Sequence, residues 1–199
     1  MDMPVFRFIE DTHTYYLGDR VLPSVTEIIS PLQNYTDINP HVLEHARQKG
    51  DAIHTAVKLH NEDDLDISTL DPAIIPRYEA WLKFLDDKKP VILGFEQPMF
   101  SHIYSYAGTP DLWMAMDDDI WLPDIKPNSL LKWYPIQLSG YQQILKEQFN
   151  LPQTRRATLQ LKDDGKYRFT PYQRAEDARD FSVFNSLLQI YQWRRINCA

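Results

Sequence analysis

Asp111, Asp124 and Lys126 fall within GTPDLWMAMDDDIWLPDIK, two strand-like runs folded about an acidic turn. Leu, Ile, Trp and Met dominate the runs, and Asp117-Asp118-Asp119 supplies turn residues between them. An even-membered loop centred on Asp117 and Asp118 sets Asp111 opposite Asp124. Strand side chains alternate between faces, so Lys126 then projects on the face that carries Asp124. Two carboxylates and an ammonium would converge on one small spot. Carboxylates that close repel each other, and a hard divalent cation relieves the repulsion. The chemistry that follows most naturally is metal-assisted attack of water on a phosphodiester.

A chain of 199 residues fits one domain, here with an N-terminal hairpin-and-helix lobe over about 1–88. The only cysteine is Cys198, which excludes a disulfide framework and any zinc or iron–sulfur site built on several cysteines. That cysteine usage points to a reducing, cytoplasmic setting. No apolar run is long enough to cross a bilayer, and MDMPVFRFIEDTH lacks the apolar core of a signal peptide. The net charge of −7 weighs against a large nonspecific duplex-binding surface without excluding nucleic acid. Between Arg155 and Arg174, the residues Arg155, Arg156, Lys162, Lys166, Arg168 and Arg174 face only Asp163 and Asp164. The segment reads either as a basic edge for a nucleic-acid strand or as a solvated hairpin.

The elements that must position the charged residues follow from periodicity and punctuation. Residues 5–22 read as a hairpin. Ser24-Val-Thr-Glu27 has capping-box spacing, so a short helix starts there and Pro31 ends it. A long helix is predicted over 41–60, with Val42, Ala46, Ile53 and Val57 facing the core, and another over 72–88, with Tyr78, Trp81, Leu82 and Leu85. Strands are predicted near 91–100, 103–116 and 120–126. An amphipathic helix over 134–149 carries Gln137 and Tyr141. A hairpin over 155–170 turns at Asp163-Asp164-Gly165. A last helix over 175–196 presents Phe181, Phe184, Leu188, Tyr191 and Ile196. This order predicts an α/β fold, a mixed sheet with helices on both faces.

An isolated Asp-x-Lys is a weak signal, but other pairs accompany it. Gly50 and His54, like Gln137 and Tyr141, stand at i,i+4 and share a helix face. A mid-helix glycine costs ~1 kcal/mol relative to alanine, so Gly50 asks for a packing or approach reason. Gly108-Thr-Pro before Asp111 would let the strand enter close to another backbone. The set Gly50-x-x-x-His54, Gly108-Thr-Pro-Asp111, Asp124-Ile-Lys126 and Gln137-x-x-x-Tyr141 resembles the PD-(D/E)XK nuclease superfamily. The likeness is to the RecB-like, Cas4-like branch, which includes the mitochondrial genome maintenance exonuclease and many phage exonucleases. Leu22-Pro-Ser-Val-Thr26 is similar to the mitochondrial and phage members.

The resemblance implies a restriction-endonuclease-like mixed sheet flanked by helices and a metal-dependent DNA exonuclease preferring single-stranded ends. A structure-selective endonuclease, or a silent nucleic-acid- or partner-binding module, are the alternatives on the same scaffold. His54, Asp111, Asp124 and the Ile125 carbonyl would ligate Mg²⁺ or Mn²⁺, with Glu96 as a further carboxylate. Lys126 would orient or deprotonate the attacking water, and Gln137 and Tyr141 would position substrate or Lys126. DNA with free ends is the implied partner, together with a recombination or replication protein, in the cytoplasm of a bacterial host if the chain is phage-encoded. The Cas4 iron–sulfur cluster lacks its cysteines here. Pro127 stands where family members often carry Thr or Ser, and the hydroxyl's contact is either lost or passed to Ser129.

Each residue also has a plainer role. His54 by itself reads as a core histidine, and beside two spaced aspartates as a ligand. His13, His41, His45, His60 and His102 lack such a context and read as structural. Ser24 is either the N-cap alone or also a phosphate contact, and Arg155 and Arg156 are candidate strand contacts.

Overall fold

A computed structural model describes residues 4–34, 39–126, 131–151 and 153–198. Strands Phe6–Ile9 (β1), Thr14–Leu17 (β2) and Arg20–Leu22 (β3) form an antiparallel meander. Helices Val25–Ile29 (α1), Pro40–Asn61 (α2) and Ile75–Lys88 (α3) follow. Then come Val91–Phe95 (β4), Met99–Ser101 (β5), Tyr106–Gly108 (β6), Leu112–Met116 (β7) and Asp119–Lys126 (β8). The chain continues through Tyr134–Phe149 (α4), Arg155–Leu161 (β9), Tyr167–Pro171 (β10) and Asp177–Asn197 (α5). The central five-stranded sheet has the order β10-β9-β8-β7-β4, and β5 pairs with β6 in a separate ribbon. β8 and β9 run parallel with α4 between them in the chain; the other pairs of the central sheet are antiparallel. This is the mixed α/β architecture that the order of elements predicts.

Helices cover both faces. Ile53, Ala56 and Val57 of α2, with Tyr78, Trp81 and Phe84 of α3, pack on Leu112, Met114, Ile125 and Leu159. On the other side, α1, α4 and α5 bring Ile28, Leu138, Tyr141, Ile144, Phe184 and Leu188 onto Trp113 and Leu122. Asp124 and Lys126 share the alternation of Leu122, so they face the α4 side.

Local chemistry explains the boundaries. Asp117 and Asp118 both take left-handed backbone (φ 51° and 63°) and close β7–β8 as a two-residue turn. The pairs Met114–Trp121, Ala115–Ile120 and Met116–Asp119 fix the register. α1 begins with a complete capping box: Ser24 Oγ accepts from Glu27 N at 3.0 Å, and Glu27 Oε2 accepts from Ser24 N at 2.7 Å.

Several sequence expectations shift. Gly18 (φ 61°) inserts a second turn, so residues 5–22 form three strands rather than two. The run 91–100 breaks after β4, where Glu96 turns left-handed (φ 39°). The run 103–116 breaks at Thr109-Pro110-Asp111, between β6 and β7. Val42 is exposed and Ala46 only half-buried, because Ala46 and Ala52 are the only apolar residues between Leu43 and Ile53 and too little apolar area is on offer. Leu82 and Ile196 are exposed too, since α3 buries Trp81 and Phe84 instead and the last turn of α5 runs past the core.

Arg156 belongs to the fold, not to a nucleic-acid surface. It is 1% exposed. Its guanidinium donates to the Pro135 carbonyl at the start of α4, to Asp177 Oδ1 (2.6 Å from Nη2) and to Asp180 Oδ2 (3.0 Å) at the start of α5. One side chain thereby ties β9 to two helix N-termini. Arg156→Ala would leave the buried Asp180 with only the exposed Arg179 as its cation and should lower unfolding free energy by about 3 kcal/mol, measured by urea denaturation.

Candidate metal-ion and strand-cleavage site

Asp111 precedes β7 by one residue, and the β7–β8 register carries it to the level of Asp124. Asp111 Oδ2 accepts a hydrogen bond from Ile125 N at 2.6 Å, which clamps the acidic loop onto β8. Two residues along one face of β8, Lys126 Nζ lies 2.7 Å from Asp124 Oδ2. The contact is a short, buried ion pair, and Lys126 is the cation that partners this oxygen. Lys126 also lies 5.1 Å from the centre of the Tyr134 ring on α4.

From the opposite layer, α2 delivers His54 to the same sheet edge. Its Nδ1 stands 3.7 Å from Glu96 Oε1 and 3.7 Å from Asp111 Oδ1. Glu96 N donates to the Asp111 carbonyl at 2.9 Å, so the left-handed turn after β4 holds the second carboxylate beside the first. Tyr141 and Gln137 approach from α4. Gln137 hydrogen-bonds the Tyr141 hydroxyl, while its own Oε1 is buried with no hydrogen-bond partner among the described residues.

Gly108 matters for a reason the sequence did not reveal. A Cβ there would stand 2.5 Å from the Tyr141 ring, so it is a side chain, not another backbone, that needs the space. At Gly50 a Cβ would meet nothing within 4 Å, and no intramolecular packing accounts for that glycine among the described residues.

Burial dominates the electrostatics. Desolvation pushes the Asp124 carboxyl up to about 6, against the pull of Lys126 and with a further push from Asp111. Burial also raises Glu96, partly offset by His54 and reinforced by Asp111. Burial would lower the Lys126 ammonium, but the Asp124 and Asp111 charges outweigh it and hold its pKa above the usual lysine value. Burial raises Tyr141 as well, so its hydroxyl keeps its proton.

The donor set of imidazole and hard carboxylate oxygens fits Mg²⁺ or Mn²⁺, and Asp124 is a buried carboxylate of the kind such an ion binds, with Lys126 beside its Oδ2. Among the described residues no three His, Cys, Asp or Glu side chains stand as a closed metal cluster. The candidate ligands come in two parts, His54–Glu96–Asp111 and Asp124 behind Lys126. Ile125 is buried between them, its N–H taken by Asp111. Pro127 and Ser129 lie outside the described residues.

Two surface expectations are corrected. Arg155 pairs with Asp119 at 2.8 Å and stacks over Trp121 at 4.2 Å. The β8–β9 register sets it beside Trp121, five residues or about 16 Å from Lys126. Arg174 also binds Asp119, so the candidate basic edge is largely internally paired. Ser24 is 4% exposed, and the capping box with Glu27 occupies it at the head of a five-residue helix. Tyr134 and Thr109 went unnoticed in the sequence. Thr109 lies inside the Gly-Thr-Pro-Asp run and accompanies Asp111, whereas nothing in the spacing marked Tyr134.

No family model matches the chain, and no curated protein matches it. Among solved structures it is similar to the crystal structure of an alkaline exonuclease (LHK-Exo) from Laribacter hongkongensis, at 14% identity over 88% of this chain and 93% of that one, with a TM-score of 0.35. The structure of LHK-Exo in complex with dAMP is similar at 15% identity over 89% and 93%, again with a TM-score of 0.35.

Two predictions follow from the site's geometry. Ser24→Ala should cost about 1 kcal/mol of stability through the lost cap and leave DNA affinity unchanged in an anisotropy titration. For Asp124, the folded pKa of about 6 lies above the unfolded value, so its neutral form stabilises the metal-free protein at low pH, and that contribution is lost as pH rises through about 6. A cation needs the ionised carboxylate. Calorimetric Mn²⁺ affinity should therefore weaken as pH is lowered through about 6, and Asp124→Asn should abolish most of the binding.

Proposed function

We propose that this chain is a metal-dependent DNA nuclease of the PD-(D/E)XK type, an exonuclease that prefers single-stranded ends. The observation that carries the reading is the convergence of Asp111, Asp124 and Lys126 on one sheet face, with His54 and Glu96 at its edge. His54, Glu96, Asp111, Asp124 and the Ile125 carbonyl would hold the ion. A bound Mg²⁺ or Mn²⁺ would lower the pKa of a water and offset charge on the scissile phosphate.

The chain's own groups do the positioning. Lys126, an ammonium beside Asp124, orients the attacking water and donates to charge developing on the phosphate. Asp111 fixes its loop through the Ile125 N–H, so its other oxygen keeps facing His54. Tyr141, protonated and oriented by Gln137, is a donor for a phosphate oxygen or for Lys126's surroundings. Preference for a single strand is supported by the net charge of −7 and by Arg155, Arg156 and Arg174 being engaged with carboxylates. A single strand needs fewer phosphate contacts than a broad duplex face would supply. No helix among the described residues is long and apolar enough to cross a membrane. Action in the cytoplasm beside a recombination or replication protein completes the proposal.

Purified protein with Mg²⁺ or Mn²⁺ should degrade end-labelled single-stranded DNA and leave closed single-stranded circles intact. Lys126→Ala should lower the rate by about 10²–10³-fold, and Asp124→Ala should abolish cleavage. Wild-type protein inert on single-stranded, nicked and duplex DNA in both metals would refute the enzyme; cleaved circles would make it an endonuclease.

A further inference from the structure

The β1–β2 turn carries an imidazole tied to the acidic loop, and it falls outside the residue set above. Tyr15 is 1% exposed, and its hydroxyl lies 2.8 Å from Thr109 Oγ1, two residues before Asp111. The same hydroxyl lies 3.1 Å from His13 Nε2. His13 is exposed and adopts a left-handed backbone (φ 47°), a conformation uncommon for a residue other than glycine. Its N–H is held by the Glu10 carbonyl at 3.0 Å, and its ring meets the Phe8 ring edge-on with centroids 5.2 Å apart. The imidazole is therefore fixed at the surface by its backbone, by an aromatic neighbour and by a buried hydroxyl. The hydroxyl engages Nε2 and leaves Nδ1 as the other ring nitrogen of this exposed imidazole, with Glu10 and Asp11 exposed in the same turn.

We propose that His13 is a substrate-binding residue whose Nδ1–H donates to a phosphate of the DNA strand entering the Asp111–Asp124 site. The direction of the hydroxyl chain and the ring tautomer are linked. When Thr109 donates to the Tyr15 oxygen and Tyr15 donates to His13 Nε2, the ring proton of this exposed imidazole resides on Nδ1. Burial keeps the Tyr15 phenol protonated, so it can serve as that donor. An anion at Nδ1 stabilises this direction of the chain, and the contact is a charge-assisted hydrogen bond. Through Thr109 the same chain couples the bound strand to the loop that carries Asp111. The proposal rests on the nuclease reading and adds a binding residue on an element outside the carboxylate cluster.

The test uses the full chain and a short fluorescent single strand, prepared with either a 5′-phosphate or a 5′-hydroxyl, titrated in Ca²⁺ to read binding without turnover. His13→Asn suits the left-handed backbone while removing the imidazole. It should weaken affinity about tenfold, raise KM by the same factor at unchanged kcat in Mn²⁺, and leave melting temperature and Mn²⁺ affinity unchanged. Tyr15→Phe should weaken affinity in the same direction. Loss on both strands identifies an internal phosphate as the ligand; loss confined to the phosphorylated strand identifies the terminal one. His13→Asn binding both strands like wild type, or losing affinity together with melting temperature, or losing kcat alone, would overturn the assignment. A wild type that binds the strand without cutting it removes the nuclease and leaves the His13 measurement valid; a wild type that does neither removes both.

Discussion

Two consecutive left-handed aspartates close the β7–β8 hairpin, and the register they set governs where every charged group of the site falls. A slip of one residue would turn Asp124 and Lys126 to the α2–α3 face, among Met114, Trp121 and Leu159, where neither has a partner. With the observed register, Asp111 reaches the Ile125 amide and Lys126 lies against Asp124. The parallel pairing of β8 with β9 then buries this strand in the middle of the sheet, so the carboxylate of Asp124 is almost wholly removed from water.

That burial creates the electrostatic character of the site. Asp124 is destabilised as an anion, Lys126 is stabilised as a cation, and Glu96 and Asp111 share a single imidazole between them. Such a cluster holds more negative than positive capacity in a poorly hydrated place. A small divalent ion would offset that excess of negative charge. The fold meets the remaining demands elsewhere: Arg156 with Asp177 and Asp180, and Arg77 with Asp163, are closed ion pairs that join helices to the sheet.

Much of this was legible in the chain because period and punctuation agree. The acidic turn, the i,i+4 pairs, the capping box at Ser24 and the helix over 134–149 each follow from local chemistry, and each is found where spacing puts it. The failures share another cause. Burial of an arginine is invisible in composition, so Arg156 reads like Arg168 until Asp177 and Asp180 come across from α5. Val42 and Ile53 lie on the same helical stripe, but only tertiary packing decides how far along α2 the core extends. Thr109 and Tyr15, far apart in sequence, meet only because the β1–β3 meander packs against the β5–β6 ribbon through Phe6 and Phe100.

α2 is one helix by its hydrogen bonds and two by its surroundings. Its final turns are embedded in the core through Ile53, Ala56 and Val57, while residues 40–50 have no buried side chain. Gly50, with open space where a methyl group would go, lies at the junction. Unwinding the first half sacrifices little apolar contact, so that half can fray on its own while the embedded half stays wound. His54 is in the first turn past the junction, so the imidazole beside Glu96 and Asp111 is anchored by the embedded half and borders the half that can loosen.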